Sequence, residues 1–249
     1  GFPLALCQSK KVLDQLNGGV RCFDLRPRFN GNDFYVLHGP ADGPKLTEIL
    51  DDIRSFFSVG SKETVILQFT HFQDMGGDID KRFVQIVYDH LRDYLVSKES
   101  LMTNPHKKEL SHLRGKIIIY LNNHVMFDNL IKGKYVGFTK DEFIYDEYAD
   151  KDIFDEMYND QKSKLDAYNQ EKLFMLNWTL TVQTLSLNSK SVKGLTEKMA
   201  SQLTSDKTNV DFFRANTHGK KVNIINTDYF ELHNVMKVCK FVNKKYFNM

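Results

Sequence analysis

Apolar residues recur along this chain with two different periods. Over residues 45–57 they fall at Leu46, Ile49, Leu50, Ile53, Phe56 and Phe57, the stripe of a helix with one buried face. Residues 63–70 are continuously apolar at their centre and predict a strand buried on both faces. A second helical stripe, Phe83, Ile86, Val87, Leu91 and Leu95, ends before Asn104-Pro105, and a second buried strand covers 116–121. Residues 127–148 are irregular and aromatic, and predict a rim loop with one short extended piece. Beyond it the pattern predicts a charged helix over 153–168, a strand over 173–179, a helix over 195–203, a strand over 222–227 and a closing helix over 230–241. Alternation of strand and helix is the signature of a parallel α/β architecture.

Two shorter runs come first. Residues 19–26 are rich in β-formers, and Pro27, which has no amide hydrogen for a neighbouring strand, predicts their end. Alternation puts Cys22, Asp24 and Arg26 on one face. A second strand, 34–38, follows the turn dipeptide Asn30-Gly31 and ends at His38-Gly39-Pro40, so that His38 returns beside Arg26. Counted with these two, the chain offers seven strands. The trio Asp24, Arg26 and His38 suits a phosphate: a guanidinium fork grips oxygens, a carboxylate fixes the fork, and an imidazole gives a proton to a leaving group. The same pattern also fits an ordinary strand carrying an ion pair, with a histidine in the next loop.

The chain resembles the phosphatidylinositol-specific phospholipase C family, in particular its calcium-independent members built from the X-type domain alone. The likeness is carried by Cys7-Gln8-Ser9, by the run from Leu13 through Gly18-Gly19-Val20-Arg21-Cys22-Phe23-Asp24-Leu25-Arg26, and by Phe34-Tyr35-Val36-Leu37-His38-Gly39. Later landmarks are Ile144-Tyr145-Asp146-Glu147-Tyr148, Asn177-Trp178-Thr179 and Ile225-Asn226-Thr227-Asp228-Tyr229. The resemblance implies an irregular TIM-type (β/α) barrel, with His38 as general acid, Arg26 as the phosphate-neutralising group, Asp24 as its orienting partner and Asp228 as the carboxylate that holds a base histidine. Trp178, His71 and His124 are candidates for the wall of the substrate site. Trp178 also reads as core, Asp228 as a helix cap, and the two histidines as rim residues. Arg26 stands where calcium-dependent relatives have an acidic ligand, so no metal and no cofactor is expected. Family members open with a strand carrying the general-base histidine, and these 249 residues contain no such motif. An upstream segment or a second chain is therefore expected to supply it. The implied activity is cleavage of phosphatidylinositol-type lipids by attack of the ring hydroxyl; the alternative is an inactive barrel kept for lipid binding or assembly.

Composition narrows the class without changing it. With 249 residues, 41% hydrophobic and 27% charged, the chain suits one globular domain over 1–249, the size of a single α/β barrel. A formal charge of +2 gives no reason to expect nucleic acid as a partner. The longest apolar runs fall well short of the roughly 18 residues of a spanning helix, so any membrane contact is expected to be peripheral. The start at Gly1 suggests processing or trimming, and the compartment stays open, with a soluble protein, secreted in preference to cytoplasmic, expected to act at a membrane surface. Cys7, Cys22 and Cys239 have no metal-ligand spacing, and the Asn177 glycosylation sequon follows a buried run.

Overall fold

The computed structural model describes residues 6–39, 41–97, 110–122, 137–169, 171–181, 222–232 and 235–247. They belong to two compact units, Lys10–Phe143 and a second formed by Gly1–Ser9 with Ile144–Met249. The helix expected over 195–203 lies outside the described residues.

The first unit runs α1 (Val12–Asn17), β1 (Cys22–Leu25), β2 (Pro27–Phe29), β3 (Phe34–His38), β4 (Ala41–Lys45), α2 (Leu46–Ser58), β5 (Val65–Phe69), α3 (Asp78–Leu91), a 3-10 turn (Leu110–Leu113), β6 (Ile117–Leu121), β7 (Gly137–Thr139) and the single turn α4 (Lys140–Phe143). Strands β1, β5, β6 and β7 form a parallel sheet in that order, with Asp24 opposite Gln68 and Gln68 opposite Tyr120. The two faces of this sheet differ in chemistry. Phe23 and Leu25, Val65, Leu67 and Phe69, and Ile117, Ile119 and Leu121 pack with the apolar stripes of α2 and α3 into one core. The alternate positions, Cys22, Asp24, Gln68 and Tyr120 together with Ile66 and Ile118, lie on the other face by the two-residue period of a strand. Gln68 and Tyr120 are nonetheless 1% and 0% exposed, and Gln68 Oε1 and the Tyr120 hydroxyl find no hydrogen-bond partner among the described residues.

Pro27 does not end the β-structure. It begins β2, which pairs antiparallel with β3, and β3 with β4. Losing one donor removes Pro27 from a central ladder but leaves it free to start a short strand. The turn works as its sequence implies: Gly31 takes a positive φ of 97°, and the Asn30 side chain accepts from the amides of Asn32 and Asp33 at 3.1 and 2.9 Å. Gly43 is required by packing, since a β-carbon there would stand 2.9 Å from the Val36 carbonyl oxygen, at a break in the β3–β4 register. Phe83 of α3 anchors this small sheet, its ring meeting Phe34, Phe69 and Phe72 with centroids 5.1–5.7 Å apart.

Two further expectations need correcting. Within 127–148, the stretch taken for a rim loop contains β7 of this sheet and β8 of the next, strands of three residues that are too short to show a period. Leu95 is not the last residue of α3, which ends at Leu91; it bridges to Ile117 beyond the helix.

The second unit contains β8 (Ile144–Asp146), α5 (Phe154–Ala167), β9 (Leu173–Asn177), β10 (Ile224–Asn226), a 3-10 turn (Phe230–Leu232) and α6 (Val235–Phe247). Its parallel sheet has the order β10-β9-β8. The closing helix expected over 230–241 is a 3-10 turn followed by α6. Met157 and Leu165 of α5, Phe174 and Leu176 of β9, and Val238 of α6 share a core with Trp178. The two parallel sheets together hold seven strands among the described residues, but not the seven counted from the sequence: residues 34–38 belong to the antiparallel sheet, and 137–146 supply two.

Replacing Phe83 by Ala should cost about 3–5 kcal/mol, read as a lower urea midpoint, with Phe83→Leu costing less. Burial, and to a lesser degree the neighbouring Cys22, push the Tyr120 hydroxyl far above its ordinary pKa. The folded state thus keeps a proton that the unfolded chain releases near pH 10, and stability contributed by this group falls as pH rises above about 10. Between about pH 9 and 11 the urea midpoint of Tyr120→Phe should therefore fall less than that of the wild type. Equal falls would show that Tyr120 is not linked to the alkaline loss.

Candidate functional site

The trio sits where the chain passes from one sheet to another. Asp24 is on β1, Arg26 is the one residue between β1 and β2, and His38 ends β3. The Leu37 amide donates to the Arg26 carbonyl at 3.0 Å, which brings the end of β3 alongside Arg26 as the sequence predicts. Arg26 Nε donates to Asp24 Oδ2 at 3.2 Å. Its side chain is 35% exposed, and its two terminal amino groups make no other hydrogen bond among the described residues. The guanidinium is thus held through Nε, which leaves its two terminal amino groups as the donors with which an arginine grips two oxygens of a phosphate. His38 is half-buried and pairs through its backbone register with Ala41.

Thr70, which the sequence reading passes over, completes the arrangement. It follows β5, is 1% exposed, and its hydroxyl donates to Asp24 Oδ1 at 2.6 Å. Its amide also donates to the Leu25 carbonyl at 3.0 Å, extending the β1–β5 ladder by one step. Both oxygens of Asp24 are therefore held, one by Thr70 and one by Arg26. The signal was available in the spacing: Thr70 lies two residues beyond Gln68, on the face shared with Asp24. Below this level Gln68 Nε2 donates to Cys22 Sγ at 3.3 Å, so Cys22 does turn to the same face as Asp24. A second arginine ties the surrounding loops together. Arg28 Nε donates to Asp74 Oδ2 at 2.9 Å and its Nη1 to Asp42 Oδ1 at 3.3 Å.

In the second unit a row of polar side chains links the ends of all three strands. Asn177 Nδ2 donates to Asp146 Oδ1, and Asn226 Nδ2 donates to Asn177 Oδ1, each at 2.8 Å. Asn177 is 2% exposed with its amide committed to Asp146, so the folded protein does not offer its sequon to a glycosyltransferase. Asp228 stands two residues beyond β10, between Thr227 and Tyr229, whose φ is +46°.

The candidates for the site wall fare differently. Trp178 is buried at 2% exposure and meets Phe154 and Tyr158 edge-on, which agrees with the reading of it as core in preference to a ring facing ligand or lipid. His71 is exposed in the left-handed conformation at φ +49°, one residue beyond the Thr70 that touches Asp24. His124 lies outside the described residues. Among the described residues, no group of three or more His, Cys, Asp or Glu side chains is arranged to hold a metal, and no helix is long and apolar enough to cross a membrane.

Residues 3–122 match the family described as phosphatidylinositol-specific phospholipase C, X domain. That stretch belongs to the X-domain family. A 1-phosphatidylinositol phosphodiesterase of Listeria monocytogenes is 27% identical over 218 residues, covering 82% of this chain and 66% of that protein. The PI-PLC X domain-containing protein 3 of Homo sapiens is 36% identical over 86 residues, 33% of this chain and 26% of its own length. The alignments thus span about two thirds of one relative and about a quarter of the other. Among solved structures, the phosphatidylinositol-specific phospholipase C of Listeria monocytogenes superposes with a TM-score of 0.67 at 22% identity, over 96% of this chain and 84% of that one. The α/β fold of the TIM-type phospholipase C barrels, expected from the sequence, is the fold of this chain. Asp24, Arg26 and His38 all fall inside the matched stretch, whereas Asp228 falls beyond it.

Thr70→Val keeps the shape of the side chain and removes the hydroxyl. It should lower stability by about 1–3 kcal/mol, with Thr70→Ser restoring most of the loss. A denaturation midpoint unchanged in Thr70→Val would show that the Asp24 contact carries no weight.

Proposed function

We propose that this chain is the catalytic part of a metal-independent phosphatidylinositol-specific phospholipase C, acting as one domain at a membrane surface. The observation that carries this reading is the Asp24–Arg26 pair, with a half-exposed guanidinium held through Nε, within the X-domain match. Arg26 binds two non-bridging oxygens of the scissile phosphodiester and neutralises the charge that builds on them as phosphorus becomes five-coordinate. The ring hydroxyl of the inositol headgroup attacks phosphorus, forming the new O–P bond of a cyclic phosphate while the bond from phosphorus to the glycerol oxygen breaks. The attacking hydroxyl gives its proton to a base, and His38 gives a proton to the departing diacylglycerol oxygen. Asp24 orients Arg26, and Asp228 holds the imidazole that serves as base in one tautomer. That imidazole is the one part for which the family motif has no match in residues 1–249.

A positive side chain does locally what a divalent cation would do, and a cation placed against Arg26 would be repelled. The internal hydroxyl needs no separate binding step for the nucleophile, which raises its effective concentration. The lipid surface, in this reading, is the partner that delivers substrate, and glycan-anchored inositol lipids share the same reacting group.

The complete polypeptide is to be tested on vesicles containing phosphatidylinositol, with products followed by phosphorus NMR. A cyclic inositol phosphate should appear first, at a rate that EDTA leaves unchanged. Arg26→Lys should lower kcat by about 100-fold or more. His38→Ala should lose most of its activity on the lipid but far less on an aryl inositol phosphodiester, whose leaving group needs no proton. Loss of turnover on chelation contradicts the role of Arg26, and vesicle binding without turnover supports the inactive, lipid-binding alternative.

A further inference from the structure

Four consecutive residues near the start of the chain hold the turn that carries Asp228. Gln8 spans it: its Nε2 donates to the Thr227 carbonyl at 2.9 Å, and its Oε1 accepts from the Phe230 amide at 3.1 Å. The Tyr229 amide donates to the Cys7 carbonyl at 2.7 Å, and the Tyr229 hydroxyl donates to the Leu6 carbonyl at 2.8 Å. The Ser9 hydroxyl bonds the Glu231 carboxylate. Tyr229 itself is buried with φ +46°, a conformation that a bulky side chain adopts only when its surroundings impose it. Nothing in β10 imposes it, because that strand ends at Asn226.

We infer that Gln8 is a positioning residue for Asp228, the segment 6–9 acting as a strap that fixes the direction of its carboxylate. This rests on the reading of Asp228 as the group that holds the base imidazole. The amide of Gln8 contacts the residues on either side of Asp228–Tyr229, so one side chain sets the carbonyl before the carboxylate and the amide after it. A carboxylate must aim at one ring nitrogen to select a tautomer, and an error of about 1 Å in such a contact costs on the order of 100-fold in rate. The Cys7-Gln8-Ser9 run, which the proposed chemistry leaves without a role, acquires one in this way.

Gln8→Met preserves the length of the side chain and removes both hydrogen bonds. In the complete polypeptide it should lower kcat by about 10- to 100-fold with little change in KM, and should add nothing to the loss caused by Asp228→Asn. Amide hydrogen exchange at Tyr229 and Phe230 should accelerate by at least about tenfold, with Phe174 and Leu176 of β9 unchanged. Additive losses in the double variant, or unchanged exchange at Tyr229 and Phe230, overturn the inference while leaving the role of Asp228 intact. An Asp228→Asn protein as active as the wild type, or a wild type without turnover, removes the reading of Asp228 and the inference with it.

Discussion

The carboxylate of Asp24 joins the end of one strand to the end of the next. One oxygen takes the Thr70 hydroxyl at 2.6 Å, the other takes Arg26 Nε at 3.2 Å, and the guanidinium is thereby aimed from a backbone that is itself laddered to β5. Such an arrangement needs three residues on one face of two parallel strands in register. The alternation of a β-strand provides the face, and parallel pairing provides the register. Placing an arginine at the hand-over from β1 to β2 adds the remaining condition, since the chain leaves the parallel sheet there and the Arg26 side chain stays 35% exposed.

The cost of that arrangement is a sheet with two chemistries. Toward α2 and α3 the strands present only apolar side chains, which is where the core forms. Away from the helices they carry Cys22, Asp24, Gln68 and Tyr120 beside Ile66 and Ile118, and Gln68 and Tyr120 hold buried polar atoms that find no partner among the described residues. Buried polar groups in this state lower stability, and they gather on the face that also carries Asp24. The small antiparallel sheet brings the end of β3 to Arg26, and it is held in turn by Phe83, so the aromatic cluster and the position of His38 are mechanically one feature.

Much of the fold was legible because its longer elements are strongly periodic. The six apolar positions of α2 are all buried, and β3 occupies the five residues read for it. Not legible were elements too short to show a period, β7 and β8, and the new strand that Pro27 opens once β1 has ended at Leu25. At the site, Asp24, Arg26 and His38 stood out because charged residues interrupt apolar runs. Thr70 did not, because a threonine at the end of a strand is an ordinary β-former and its importance depends on its partner. His71 attracted notice by its chemistry, but it lies beyond the end of β5 with φ +49°, where strand alternation does not set the face of a side chain. Trp178 followed the same logic in reverse: its burial among Phe154 and Tyr158 depends on α5, far from it in sequence.

By itself the sequence determined the alternation of helices and strands, the face shared by Cys22, Asp24 and Arg26, and the likeness to the X domain, because each is written in local spacing. Tertiary structure alone decided which side chain reaches the second oxygen of Asp24, which residues share the parallel sheets, and that residues 6–9 close on the turn after β10, more than 200 positions away. Local periodicity fixes the direction in which a side chain points. Only the pairing of distant strands fixes what it meets.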